Sequence, residues 1–351
     1  AATAPQQQAA AVSSHEVSAD LPNAKNATVA SDVPQANIAQ SQTTDATAPV
    51  NQQLISVQTD LYHIWINPKG GDIVRIELLS HDKSKDSDQP FVMLENDAKR
   101  TYVAQSGLIG LNGPDSSRGG RPLYAVEKTS YTLADAKGVQ DQKGQSEKVL
   151  NVPMVFKTPE GVEIIKTFTF TQGQYPIVVK HQVINRSQQS WQGQMFGQLK
   201  RDNSEDPGKS SQGIFTLGTF LGGAWGTPDA HYNKLKFANF SEEKVNTEAK
   251  GGWVAIVQHY FVSAWIPGNL KLTQANGQPY VAKLESRQSA DHMNIIGFTS
   301  PVINVPAGTS MEVDAKLYSG PKVQSELKDL AVGLNQTVDY GWLWPIAKLL
   351  F

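Results

Sequence analysis

The chain has 351 residues, with 31 Lys and Arg against 33 Asp and Glu and no cysteine. A net charge of −2 and a pI near 6.4 exclude the clustered cationic surface that nucleic-acid backbones demand, so no nucleic-acid partner is expected. The absence of thiols excludes a disulfide framework, a thiolate zinc site, an iron–sulfur cluster and a cysteine nucleophile.

Residues 1–53 contain no aromatic side chain and consist mostly of Ala, Gln, Ser, Thr, Asn, Asp, Val and Pro. Such a stretch buries too little apolar surface to offset its ordering entropy, which predicts a disordered low-complexity tether over 1–53. From Leu54 the period becomes two: Tyr62, Ile64 and Ile66 alternate with Leu61, His63 and Trp65. After a Pro68-Lys69-Gly70-Gly71-Asp72 turn, Val74, Ile76 and Leu78 alternate with Arg75 and Glu77. The same alternation returns around 162–170, 177–183 and 311–317, punctuated by Pro159-Glu160-Gly161, Asn276-Gly277 and Pro306-Ala307-Gly308. Many closely spaced short strands without intervening helical patterns predict an all-β fold, a large antiparallel sandwich over 54–320.

The run Trp253–Ile266 is apolar on both parities, which fits a central strand or strand pair packed on two faces. It is too short and too polar to span a bilayer. Residues 199–250 read as loop, including the glycine-rich Gly218-Thr219-Phe220-Leu221-Gly222-Gly223-Ala224-Trp225-Gly226; long loops over a rigid scaffold either bind partners or merely connect. After Gly320 the period turns helical. Pro321 suits a first helical position, and Val323, Leu327, Leu330, Ala331 and Leu334 form one stripe. One amphipathic helix of about 14 residues within 321–336 is expected, docked through Val323, Leu327, Leu330 and Leu334. Tyr340, Trp342 and Trp344 then precede the apolar run that closes the chain, an arrangement typical of a membrane–water interface. The segment 337–351 is therefore expected to be the start of a truncated transmembrane region, and the chain a piece of a membrane protein.

No P-loop, G-x-G-x-x-G, G-x-S-x-G or H-E-x-x-H motif occurs, and the seven histidines show no pair at ligand spacing. Neither a cofactor, a metal nor catalysis is expected. One alternative survives: a carbohydrate-binding or aldose-opening cleft lined by Trp191, Trp225 and His181, residues that no spacing singles out.

Longer motifs carry a resemblance. Gly251-Gly252-Trp253-Val254-Ala255 through Gln258, Tyr260-Phe261 and Ala264-Trp265-Ile266-Pro267 resembles the central signature of the large periplasmic domain of the YidC/Oxa/Alb insertase family in its Gram-negative form. Thr101–Leu108 with Gly113-Pro114-Asp115 and Arg121-Pro122-Leu123-Tyr124, Phe196-Gly197-Gln198-Leu199-Lys200, and Thr337–Trp344 resemble further segments of it. The resemblance implies a β-supersandwich of mutarotase-like type followed by a C-terminal helix, on the periplasmic face of a bacterial inner membrane. It also implies flanking transmembrane helices outside this chain, and an insertase groove that likewise lies outside it. Implied partners are nascent membrane proteins and Sec translocon components. The expected contact stretch is 196–250, with Phe196, Phe220 and Trp225 as its surface. A pure spacer with no partner is the remaining possibility.

Overall fold

A computed structural model describes residues 21–22, 53–84, 87–117, 120–140, 144–207, 220–268 and 281–338. Two sheets face each other, of eleven and nine strands. The larger runs in the order Asn246–Ala249, Ala282–Gln288, Asn294–Thr299, Trp191–Arg201, Thr101–Ile109, Ser87–Asn96, Asp72–Ser84, Tyr62–Asn67, Ile55–Gln58 and Ser130–Thr132, with Ile303–Val305 beside the start of Trp191–Arg201. The smaller runs Asn233–Lys236, Gly222–Gly226, Trp253–Val257, Phe261–Pro267, Ser310–Pro321, Ile177–Asn185, Val162–Thr171, Ser146–Lys157 and Lys137–Gln140.

Burial alternates residue by residue along Tyr62–Asn67, Val162–Thr171 and Ile177–Asn185, as the period of two requires when one face meets the opposite sheet. Gly70 and Gly71 both take positive φ (78° and 64°), which lets the chain reverse between Tyr62–Asn67 and Asp72–Ser84 without Cβ strain. Trp253–Val257 and Phe261–Pro267 are buried throughout and pair as a hairpin, so the apolar run is a strand pair covered on both faces. Cross-sheet hydrogen bonds tie this layer down. The Trp265 indole N–H donates to the Gln198 carbonyl at 3.1 Å, and the Tyr62 hydroxyl sits 2.6 Å from the Ser319 carbonyl. Each such fully buried large side chain contributes about 1.5–3 kcal/mol of apolar burial.

Three local expectations are corrected. Ile55–Gln58 and Ser130–Thr132 pair in parallel within an otherwise antiparallel set of described pairings. Parallel neighbours cannot share a tight hairpin, and four strands lie between these two in sequence.

The stretch 199–250 is not simply loop: Lys200 and Arg201 end a long strand, Gly222–Gly226 is a strand, and Asn233–Lys236 and Asn246–Ala249 form one of the two edge strands of the smaller and the larger sheet, respectively. Glycine disfavours strands by propensity, but the close approach of aromatic rings overrides that here. A Cβ at Gly223 would lie 2.7 Å from the Phe240 ring, and one at Gly226 would lie 2.6 Å from the Trp253 indole.

The expected 14-residue helix is a seven-residue helix, Gln324–Leu330, and a 3-10 turn, Leu334–Thr337. Pro321 ends the last strand instead of opening the helix. Ala331 is extended and Gly333 is left-handed at φ 81°, where any Cβ would collide with the His231 carbonyl. Of the expected stripe, Leu327 and Leu334 are buried while Val323, Leu330 and Ala331 are half-buried, and side-chain period carries no trace of this backbone contact.

Candidate functional site

The segment from Lys322 to Val338 packs against the main core as a clasp. Leu327 and Leu334 have no exposed surface and belong to the main core, while Leu330 and Ala331 pack half-buried against it. Val323 is half-buried and serves as the extended residue before the helix, where its carbonyl accepts the Leu327 N–H at 3.0 Å. Polar contacts lock the clasp: the Trp253 indole N–H donates to the Val332 carbonyl at 2.9 Å, and the Lys322 ammonium donates to the Thr337 carbonyl at 3.1 Å. The Tyr318 hydroxyl donates to the Pro321 carbonyl at 2.5 Å, and burial, with Glu326 nearby, holds its pKa above the ordinary phenol value.

A groove of about 490 Å³ runs beside this clasp. Ile266, Pro267, Leu330 and Val332 give it apolar walls, and Lys250, Asp314 and Lys316 give it a charged margin. Gly251 and Gly252, at φ 81° and 124°, bend the chain along it into the buried Trp253. Burial raises the Asp314 carboxyl above its ordinary value, with Lys316 and Lys180 opposing. Among the described residues no group of three or more metal-ligating side chains occurs.

Two exposed apolar side chains flank the clasp; the expectation of a run packed on both faces is corrected at Tyr260, and Val332 was not singled out by the sequence. Val332 is 57% exposed, and Tyr260 is 70% exposed on the hairpin between Trp253–Val257 and Phe261–Pro267, with its carbonyl accepting the Lys322 N–H. The polar break Gln258-His259 in an apolar run was the available signal for that hairpin.

The expected partner surface does not assemble. Phe196 has no exposed surface, and the Arg121 guanidinium lies over its ring at 5.5 Å. Phe220 and Trp225 are half-buried against the core, with the Lys234 ammonium over the Phe220 ring. Sequence alone cannot tell an aromatic that covers a sheet from one that projects. Tyr340, Trp342 and Trp344 lie outside the described residues.

The sugar-cleft residues do not converge either. Trp191 is 2% exposed and donates its indole N–H to the Asn112 carbonyl. Trp225 and His181 stand four strands apart in the smaller sheet, roughly 19 Å at the usual strand spacing. His181 is fully buried, and neither ring nitrogen has a hydrogen-bond partner. Burial, then Lys166 and Arg121, push its pKa well below the ordinary imidazole value, which suits a neutral core residue and not a general acid.

Its neighbour Lys166 is also buried, and its ammonium nitrogen donates to the Gly70, Gly71 and Ser106 carbonyls at 3.0, 2.8 and 2.8 Å. Arg121 pairs with Asp72 and Asp115 and also donates to the Gly70 and Ser106 carbonyls. These buried charges brace the Gly70-Gly71 turn. Sequence puts Asp115 and Arg121 in one motif but could not join them to Asp72 and Lys166, which come from two other segments.

The family profile of the YidC periplasmic domain matches residues 54–351. The chain belongs to the YidC periplasmic domain family. Curated relatives agree: a membrane protein insertase YidC of Pseudomonas putida (strain GB-1) is 42% identical over 329 residues, covering 93% of this chain and 55% of that protein. The one from Marinomonas sp. is 41% identical, with 93% and 56% covered, and the one from Pseudomonas aeruginosa is 39% identical, with 97% and 60% covered. The chain thus spans a little over half the length of these relatives.

Among solved structures, a galactose mutarotase related enzyme from Lactobacillus acidophilus superposes with a TM-score of 0.43 at 10% identity, covering 76% of this chain and 97% of that one. Within this periplasmic domain, the segment that carried the resemblance in sequence, Gly251 to Pro267, supplies a wall of the groove and the anchor of the clasp.

Proposed function

We propose that this chain is a non-enzymatic, accessory domain of an inner-membrane protein insertase and foldase, held on the periplasmic side. The observation that carries the reading is the family match over 54–351 together with relatives named as membrane protein insertases. The sandwich is a rigid body, tethered through residues 1–53 and seated above the bilayer by the 321–338 clasp and by Tyr340, Trp342 and Trp344. Its clients are nascent membrane proteins, and Sec translocon components dock on it.

The 196–250 stretch remains the contact surface in this reading, for a different reason than exposed aromatics. It provides the outer strands Asn233–Lys236 and Asn246–Ala249 of the two sheets. An outer strand presents unpaired backbone N–H and C=O groups that a partner strand can extend.

The test is complementation of an insertase-depleted strain by the full-length protein lacking residues 54–319, with its membrane level checked. Growth places the required periplasmic function in the segment from 321 onward and makes the sandwich accessory. Loss of growth, with the variant present in the membrane, gives the sandwich an essential role and refutes the accessory reading. Crosslinkers at Lys234 and Glu248 would then report whether translocon subunits touch the outer strands.

A further inference from the structure

We propose that Leu21-Pro22 is a linear anchor that docks on the outer face of the larger sheet. Within the low-complexity residues 1–52, Leu21 and Pro22 are the described positions, and both are buried, Leu21 to 9% exposure. Leu21 forms a cluster with Ile109 and Phe196 that is separate from the main core.

The pleat explains the separation. On the strand Trp191–Arg201, Met195 and Leu199 point into the main core, so Phe196 between them points to the opposite face. On the paired strand Thr101–Ile109, Leu108 points inward and Ile109 outward by the same alternation. The outer face of a sandwich is ordinarily polar, yet Phe196 and Ile109 have no exposed surface. The Arg121 guanidinium covers part of Phe196, and Leu21 supplies apolar cover from a distant part of the chain.

The chemistry of the occupant suits a linear anchor. A branched aliphatic side chain fills the notch, and the following proline has its φ already fixed, so less backbone freedom is lost on docking. The sequence carries a second, similar stretch: Asp20-Leu21-Pro22-Asn23-Ala24 is echoed by Asp32-Val33-Pro34-Gln35-Ala36. The shorter valine side chain fills the same notch less well, so the first copy is the occupant.

This inference does not depend on the function proposed above.

The cysteine-free chain permits a direct test. Nitroxide labels at Asn23→Cys and Leu111→Cys, the latter replacing a side chain that is 79% exposed two residues beyond Ile109, are read by double electron–electron resonance on the whole chain. A narrow distance population below about 30 Å is expected. Adding Leu21→Asp should convert it into a broad coil distribution without moving the urea midpoint, because the cluster is separate from the main core, while Leu21→Met should retain it. A broad distribution in the labelled parent, or a narrow one that survives Leu21→Asp, overturns the proposal.

Discussion

Replacing Lys166 with methionine should alter how stability depends on pH. Burial pulls the Lys166 ammonium down to about 7, against the opposing pull of Asp72 and Asp115, from an ordinary value near 10.5 that the unfolded chain regains. Between those two values the unfolded chain binds more protons than the folded one, so stability rises with pH across the window and is lost as pH falls toward 7. Integrating the two titrations between pH 7 and pH 9 gives a gain of about 2 kcal/mol attributable to this one group.

Methionine matches the length of the lysine stem and carries no titration. Arg121 still donates to the Gly70 and Ser106 carbonyls, so the variant withdraws a donor chiefly from the Gly71 carbonyl, at about 1–3 kcal/mol. Removing the need to bury an ammonium offsets that loss. Urea unfolding of both proteins at pH 7 and pH 9, compared as a difference of differences, isolates the term from every other titrating group. The wild type should gain about 2 kcal/mol relative to Lys166→Met over that interval. Equal pH slopes would refute the reasoning and mean that the three carbonyls keep the ammonium charged as effectively as water does.

His181 produces a second pH effect at the acid end. Its folded pKa lies well below the unfolded value near 6.5, so its contribution is complete above that value and is lost as pH falls below it. Between pH 7 and pH 5 the wild type should lose more stability than His181→Leu, measured by urea midpoints; parallel acid limbs would show that the ring protonates in place. In the clasp, Leu327→Ala removes a side chain with no exposed surface and should cost about 2–5 kcal/mol, whereas Leu330→Ala, half-buried at the groove, should cost well under half of that. Equal losses in chemical denaturation would mean the helix is not held through the Leu327 side chain. Gly333→Ala places a methyl group against the His231 carbonyl at a positive φ and should lower stability by more than about 1 kcal/mol. An unchanged melting temperature would show that the turn rearranges freely.

The strand alternation at 62–78, 162–170 and 177–183 was legible because a half-buried strand must repeat every two residues, whatever lies opposite it. The doubly apolar run at 253–266 announced its central place because both faces of its two strands, Trp253–Val257 and Phe261–Pro267, are covered, with only the turn at 258–260 reaching the surface. Long motifs rich in tryptophan carried the family resemblance, since so specific a run of large side chains implies one particular packing. The helical stripe named Leu327 and Leu334, which the structure buries, but its length depended on where the His231 carbonyl sits against Gly333, a contact that no local period encodes.

Which face an aromatic covers was also beyond local pattern. Phe196 reads as a surface candidate and is buried beneath Leu21, whose partners lie far along the chain. The braced turn at Gly70-Gly71 joins Lys166, Arg121, Asp72 and Asp115 from three separate segments, and the groove joins residues from five. Sequence by itself determined the two-sheet architecture and the family, because period and rare-residue motifs are properties of neighbouring positions. Tertiary structure alone decided the groove, the clasp and the buried charges, because each depends on distances between segments that approach one another only when the sheets close.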